Sequence, residues 1–168
     1  TYKTVIIGEQ EWMAENLRTT KYSDGRAIPN VTDNLEWDNL ETGAWCYYEN
    51  DSQYYNTASD GEKYGKLYSW YAVETEKLCP TGWHVPTHAE WTVLRVYLTT
   101  NGHSGAEGKA LKSTSGWKDG WDVTNGNGTD NYGWNGLPGG CDGCEDYFGI
   151  WWSSSKWDED DEDFLVYI

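Results

Sequence analysis

The chain has 168 residues, a formal net charge of −16, and 12 Trp beside 13 Tyr. That charge excludes nucleic acid as a partner, because neutralising phosphates needs a basic patch and no Lys/Arg cluster occurs. No run approaches the ~18 apolar residues of a membrane span, so this segment does not insert into a bilayer, and the length points to one domain over residues 1–168.

The chain opens on Thr1 with no Met and no signal segment, as a mature or trimmed piece would. Residues 2–7 are β-branched and alternating, and predict a strand. Gly8-Glu9-Gln10 turns the chain, and Glu11-Trp12-Met13-Ala14 predicts a second short strand. Asn16 to Asn39 is polar, with turn signals at Asp24-Gly25 and Pro29-Asn30. Residues 44–48 predict another short strand and residues 49–63 a polar loop.

Two helices are expected next. The first covers residues 64–76, with Leu67, Trp70 and Tyr71 on one face. The second opens on a capping box, Thr87-His88-Ala89-Glu90, and carries a stripe of Trp91, Leu94 and Leu98. Asn101-Gly102 stops it. From about residue 100 the chain is irregular and punctuated by Gly. Short strands fit at 132–137, 149–154 and 164–168. Six Trp, from Trp117 to Trp157, thread this region. The sum is an α+β chain of short antiparallel strands, two helices and a long Gly/Trp-rich loop region. A loop-rich fold low in aliphatics must build its core from rings, and rings with a polar handle also suit a gripping surface.

The four cysteines are Cys46, Cys79, Cys141 and Cys144, an even count that points outside the cytoplasm. Cys141-Asp142-Gly143-Cys144 follows Pro138-Gly139-Gly140 and reads as loop. A local disulfide, a pair of thiols, and metal or redox chemistry all remain open there.

No Gly-x-Ser-x-Gly elbow, His-Glu-x-x-His or phosphate-binding loop occurs, and His84, in Trp83-His84-Val85-Pro86, reads as structural. No catalytic residue is assigned, and the chain reads as a binding protein rather than an enzyme. Calcium is the one cofactor candidate. Asp122, Asn125, Asn127 and Asp130 alternate with glycines, and such a loop can curl oxygens around a cation. The competing reading is an Asx-rich turn without an ion.

The candidate binding face spans residues 141–163. It sets Cys141, Cys144, Tyr147 and Trp157 among Asp142, Glu145, Asp146, Asp158, Asp160 and Asp161. Aromatic anchors among adaptable polar groups are what a paratope uses. The bland alternative is an acidic solvent loop. Trp151 and Trp152 read as support, since adjacent strand residues send one ring to each face.

The ordered motifs carry a family resemblance. They are Thr4-Val5-x-Ile7-Gly8-x-Gln10-x-Trp12-Met13-Ala14-Glu15-Asn16-Leu17, Tyr64-Gly65-x-Leu67-Tyr68-x-Trp70, and Cys79-Pro80-x-Gly82-Trp83-His84-Val85-Pro86-x-x-x-Glu90-Trp91. Leu111-Lys112-Ser113, Tyr132-Gly133-x-x-x-Leu137-Pro138-Gly139-Gly140 and Gly149-x-Trp151-Trp152-Ser153-Ser154 follow. Over residues 2–155 the chain resembles the Fibrobacter succinogenes major paralogous domain. The resemblance implies a C-type-lectin-like fold, akin to the formylglycine-generating enzymes, in secreted or cell-surface bacterial proteins. It implies that some members are variable proteins of diversity-generating retroelements, with binding surfaces diversified around the Gly-Gly and Trp-Trp motifs.

The chain departs from that pattern after Ser154, where an acidic run leads to Phe164–Ile168 in place of a closing strand with Cys and Arg. That departure points to truncation or divergence. The expected function is an extracellular module that binds a protein or surface ligand, with a basic partner favoured. A structural or adhesin domain is the alternative. An oxidase of the formylglycine-generating kind ranks third.

Overall fold

The computed structural model describes residues 1–47, 64–118, 126–139 and 149–156 in full, and the backbone of Leu165–Tyr167. Strands β1 (Thr4–Ile7) and β2 (Gln10–Met13) form an antiparallel hairpin with Ile7 opposite Gln10 and Thr4 opposite Met13. Gly8 makes the turn with φ +64°. Alternation along β1 decides what is buried: Ile7 is 1% exposed and its neighbour Ile6 is 74% exposed.

A single turn, α1 (Asn34–Asp38), is capped by Asp33, whose Oδ1 accepts from the Glu36 N–H at 2.9 Å. The polar stretch 16–39 had suggested turns only. One helical turn leaves no apolar period to read. β3 (Trp45–Cys46) pairs antiparallel with β4 (Leu67–Tyr68).

The helix expected over 64–76 is therefore shorter and later. Gly65 sits at φ +75°, Leu67 and Tyr68 are drawn into the ladder, and Ser69 is extended. Only α2 (Trp70–Val73) is helical. It follows a ladder that satisfies Leu67 and Tyr68, so pairing overrides a mixed helical period.

α3 (His88–Leu98) matches its sequence signals. Thr87 Oγ1 accepts from the Glu90 N–H at 3.2 Å, and Glu90 Oε2 accepts from the Thr87 N–H at 2.8 Å. Trp91, Leu94 and Leu98 form its buried stripe. A π turn, Thr99–His103, carries the chain past Gly102, at φ +94°, into α4 (Glu107–Leu111), which the sequence reading had missed. The strand expected at 132–137 is instead a turn, joined to Lys112 only by a parallel bridge at Gly136. Gly133 and Asn135 at φ +73° and +55° cannot extend a ladder.

β5 (Ile150–Trp152) pairs antiparallel with β6 (Leu165–Tyr167), close to the bounds expected for both. Among the described residues the result is α+β, with three separate two-stranded sheets. The core has two parts. One gathers Ile7, Trp12, Trp91, Leu94, Leu98 and Trp134 around α3. The other gathers Tyr22, Ile28, Tyr68, Ala72, Val73 and Leu78 around α2. Trp151 packs on the first and Trp152 on the second, as strand alternation requires. Trp91 Nε1 donates to the Trp152 carbonyl at 3.2 Å, and Trp152 Nε1 donates to the Tyr68 carbonyl at 2.9 Å. These bonds tie β5 to both cores. Trp117 anchors the Gly-rich loops in the same way, its Nε1 donating to Ser113 Oγ and the Gly136 carbonyl, each at 3.1 Å.

Candidate functional site

Side chains from β2, the 78–86 segment, residues 134–139 and β5 enclose a cleft of about 630 Å³. That is the size range of a small-ligand site, roughly 300–1,000 Å³. A chain of indoles crosses from one wall to the other. Trp12 of β2 meets Trp91 of α3 at 4.8 Å, Trp91 meets Trp134 edge-on at 6.2 Å, and Trp134 meets Trp151 of β5 at 5.0 Å. Half-buried Trp37 and Trp83 add further aromatic surface.

Three members of this wall carry a buried polar atom with no partner among the described residues: Gln10 Oε1, Trp12 Nε1 and Trp134 Nε1. Each such atom costs about 1–3 kcal/mol when left unpaired. Gln10 is held in place by its other end, with Nε2 donating to the Glu90 carbonyl at 3.1 Å.

Polar groups mark the rim. His84 Nε2 lies 2.8 Å from Glu90 Oε1, and Glu90 Oε2 also accepts from Thr87 Oγ1 at 2.9 Å. Desolvation pushes the Glu90 carboxyl up, but hydrogen bonds from Thr87 and His84 outweigh it and hold it below the usual range. Lys66 lies between two rings, with Nζ 4.6 Å from the Trp45 centroid and 4.7 Å from that of Tyr47. Burial pushes the Cys79 thiol up to about 11, so it stands protonated and inert in the wall. No disulfide joins Cys79 to Cys46.

The residues expected to bind, Cys141, Asp142, Cys144, Glu145, Asp146, Tyr147, Trp157, Asp158, Asp160 and Asp161, lie outside the described residues. Gly139 and Ile150, which flank the first group, both line the cleft. Of the calcium candidates, Asp122 and Asn125 also lie outside. Asn127 Oδ1 accepts from the Trp117 N–H at 3.1 Å, and Asp130 Oδ1 accepts from the Asn135 N–H at 2.8 Å. Both oxygens thus brace loops. Among the described residues no group of three His, Cys, Asp or Glu is placed to hold a metal.

Trp12, Trp83, Gln10 and Trp134 were not singled out as site residues from the sequence. The density of Trp signalled a gripping surface, but no local pattern says that residues 10–13, 78–86 and 134–152 meet. What they define together is an α+β module whose described part offers an aromatic-walled cleft. The chain belongs to the Fibrobacter succinogenes major domain family, whose model matches residues 5–165. No curated protein matches it, and no solved structure does.

Proposed function

We propose that this domain is a ligand-recognition module and that the cleft between β2 and β5 is its binding site. One observation carries the reading. Among the described residues, three buried polar atoms have no partner, and all three belong to residues of the aromatic wall. Most buried polar atoms of native cores are paired, so three on one wall support a polar partner at this place. Among the described lining residues, Cys79 is held protonated and His84 pairs with Glu90 at the exposed rim.

The family resemblance supports three finer parts of the proposal. They are a C-type-lectin-like fold, placement at the cell surface or outside the cell, and diversification of positions within residues 141–163, a segment that follows the cleft-lining Gly139. Among the described residues no helix is long and apolar enough to cross a membrane. The protein would meet its partner, a protein or another surface ligand, through this face.

The test is a ligand screen read by indole fluorescence and by thermal shift, with Trp83→Ala as the control at the rim. A ligand that binds only the native state at about 100 times its Kd raises stability by about 2.7 kcal/mol. A hit whose effect vanishes in Trp83→Ala supports the site. Hits that bind Trp83→Ala unchanged place recognition elsewhere on the molecule. Encoded variation at this locus confined to 141–163, with Trp151 and Trp152 fixed, would support diversification.

A further inference from the structure

We infer that the occupant of the cleft is an extended peptide, which adds a strand to the open edge of β2. This rests on the reading of the cleft as the binding site. Successive side chains of a strand point to opposite faces. Yet all four residues of β2, from Gln10 to Met13, line the cleft, and so do all three of β5, from Ile150 to Trp152. A surface touched by consecutive residues runs along a strand's edge rather than over one face.

The register identifies the groups on that edge. Ile7 and Gln10 face each other across the Gly8-Glu9 turn, and the Ala14 N–H donates to the Lys3 carbonyl at 2.9 Å. Alternation in an antiparallel ladder then turns the backbone of Trp12 toward β1 and those of Glu11 and Met13 away from it. Among the described residues, the N–H and C=O of Glu11 and Met13 have no hydrogen-bond partner.

An exposed, unpaired strand edge is a template for another strand. Peptide recognition by strand addition draws affinity from main-chain bonds and selectivity from pockets for alternate side chains. Here the pockets are indole-walled, so every second residue of the peptide is apolar. The lining carries Glu11, Glu15 and Glu90 against Lys66, and the chain as a whole is at −16. The residues between the apolar ones are therefore basic or neutral. A lipid tail would leave the β2 edge unpaired, and an anionic ligand would meet like charge.

The experiment uses the whole chain and three short synthetic peptides. One alternates Val and Lys, one alternates Val and Glu, and the third is the Val/Lys peptide with a central Pro. Indole fluorescence reports occupancy, and residue-resolved hydrogen exchange reports pairing. The Val/Lys peptide is expected to shift the fluorescence saturably and to slow exchange at the Glu11 and Met13 amides roughly tenfold or more. The Trp12 amide, already bonded to β1, should change little. The Pro peptide should lose the protection, because Pro cannot donate to a ladder, and the Val/Glu peptide should bind more weakly.

Saturable binding without slowed exchange at Glu11 and Met13 overturns strand addition and leaves the cleft as a site. So does a Pro peptide that binds equally well. Failure of all three peptides, while other ligands still shift the cleft indoles, overturns the inference alone. Failure of every ligand to shift them overturns the recognition reading as well.

Discussion

Trp152→Ala tests whether β5 joins two separately packed cores. A buried Trp→Ala substitution costs about 3–5 kcal/mol. The Trp152 ring is half-buried, packs on the α2 core and meets Trp70 at 5.7 Å. Its loss also strips the donor from the carbonyl of buried Tyr68. Scaling for exposure and adding about 1 kcal/mol for that bond gives a loss of about 2–3 kcal/mol. Trp152→Phe keeps most of the ring and isolates the bond, at about 1 kcal/mol. Trp151→Ala removes a ring from the other core, beside Trp134.

Although 151 and 152 are adjacent in sequence, their rings share no core. The double variant should lose the sum of the single losses to within about 0.5 kcal/mol. Urea unfolding followed by far-ultraviolet circular dichroism avoids the altered fluorescence. The slope should hold and the midpoint fall. For a chain of this size each kcal/mol moves Tm by about 2–4 °C, so each single variant should fall roughly 4–12 °C. A coupling above about 1 kcal/mol, or a Trp152→Ala loss below about 0.5 kcal/mol, would refute the two-core account.

Thr87→Ala removes the α3 cap and should cost about 1 kcal/mol in the urea midpoint, while Thr87→Ser should leave it nearly unchanged. Glu90 has a folded pKa below its ordinary 4.5, so its stabilisation is present above that value and lost as pH falls through the lower one. Glu90→Gln should therefore flatten the acid limb of stability against pH, and an unchanged limb would show that the His84 and Thr87 bonds carry no weight. Cys79, pushed up to about 11, is thiolate in only about one molecule in a thousand at pH 8. Iodoacetamide should label it promptly only after unfolding, and fast labelling of the native chain would refute its burial.

Some of this structure was legible in the sequence because the signal was local. The β1–β2 hairpin is a β-branched run, a turn Gly and a second short strand. The α3 helix announces itself by a capping box and a 3.6-residue stripe. The opposed fates of Trp151 and Trp152 follow from strand alternation alone. What the sequence hid depended on distant partners. Leu67 and Tyr68 look helical until Trp45 and Cys46 pair with them. Asn135-Gly136 is a turn signal that suits a left-handed Asn, and it outweighs the short strand expected over 132–137. The cleft was hidden for the same reason. Gln10, Trp83, Trp134 and Trp151 come together through contacts across more than a hundred residues, and no periodicity encodes that.

The architecture also dictates how the site can be probed. A two-stranded sheet is marginal by itself, and among the described residues the three sheets do not merge. Stability must come from the rings between them, and the indoles that cross the cleft are the same ones that fill the α3 core. Trp12, Trp91 and Trp134 therefore serve packing and surface at once. A loss of binding in variants at those positions is confounded with a loss of fold. Glu11, exposed on the β2 edge, and Trp83, half-buried at the rim, border the same cleft but belong to neither core. Substitution there should change affinity while moving stability by only about 0.5 kcal/mol, the usual surface range. The separation of binding from stability is itself a test, because a cleft that exists only as a packing defect would show no affinity to lose at either position.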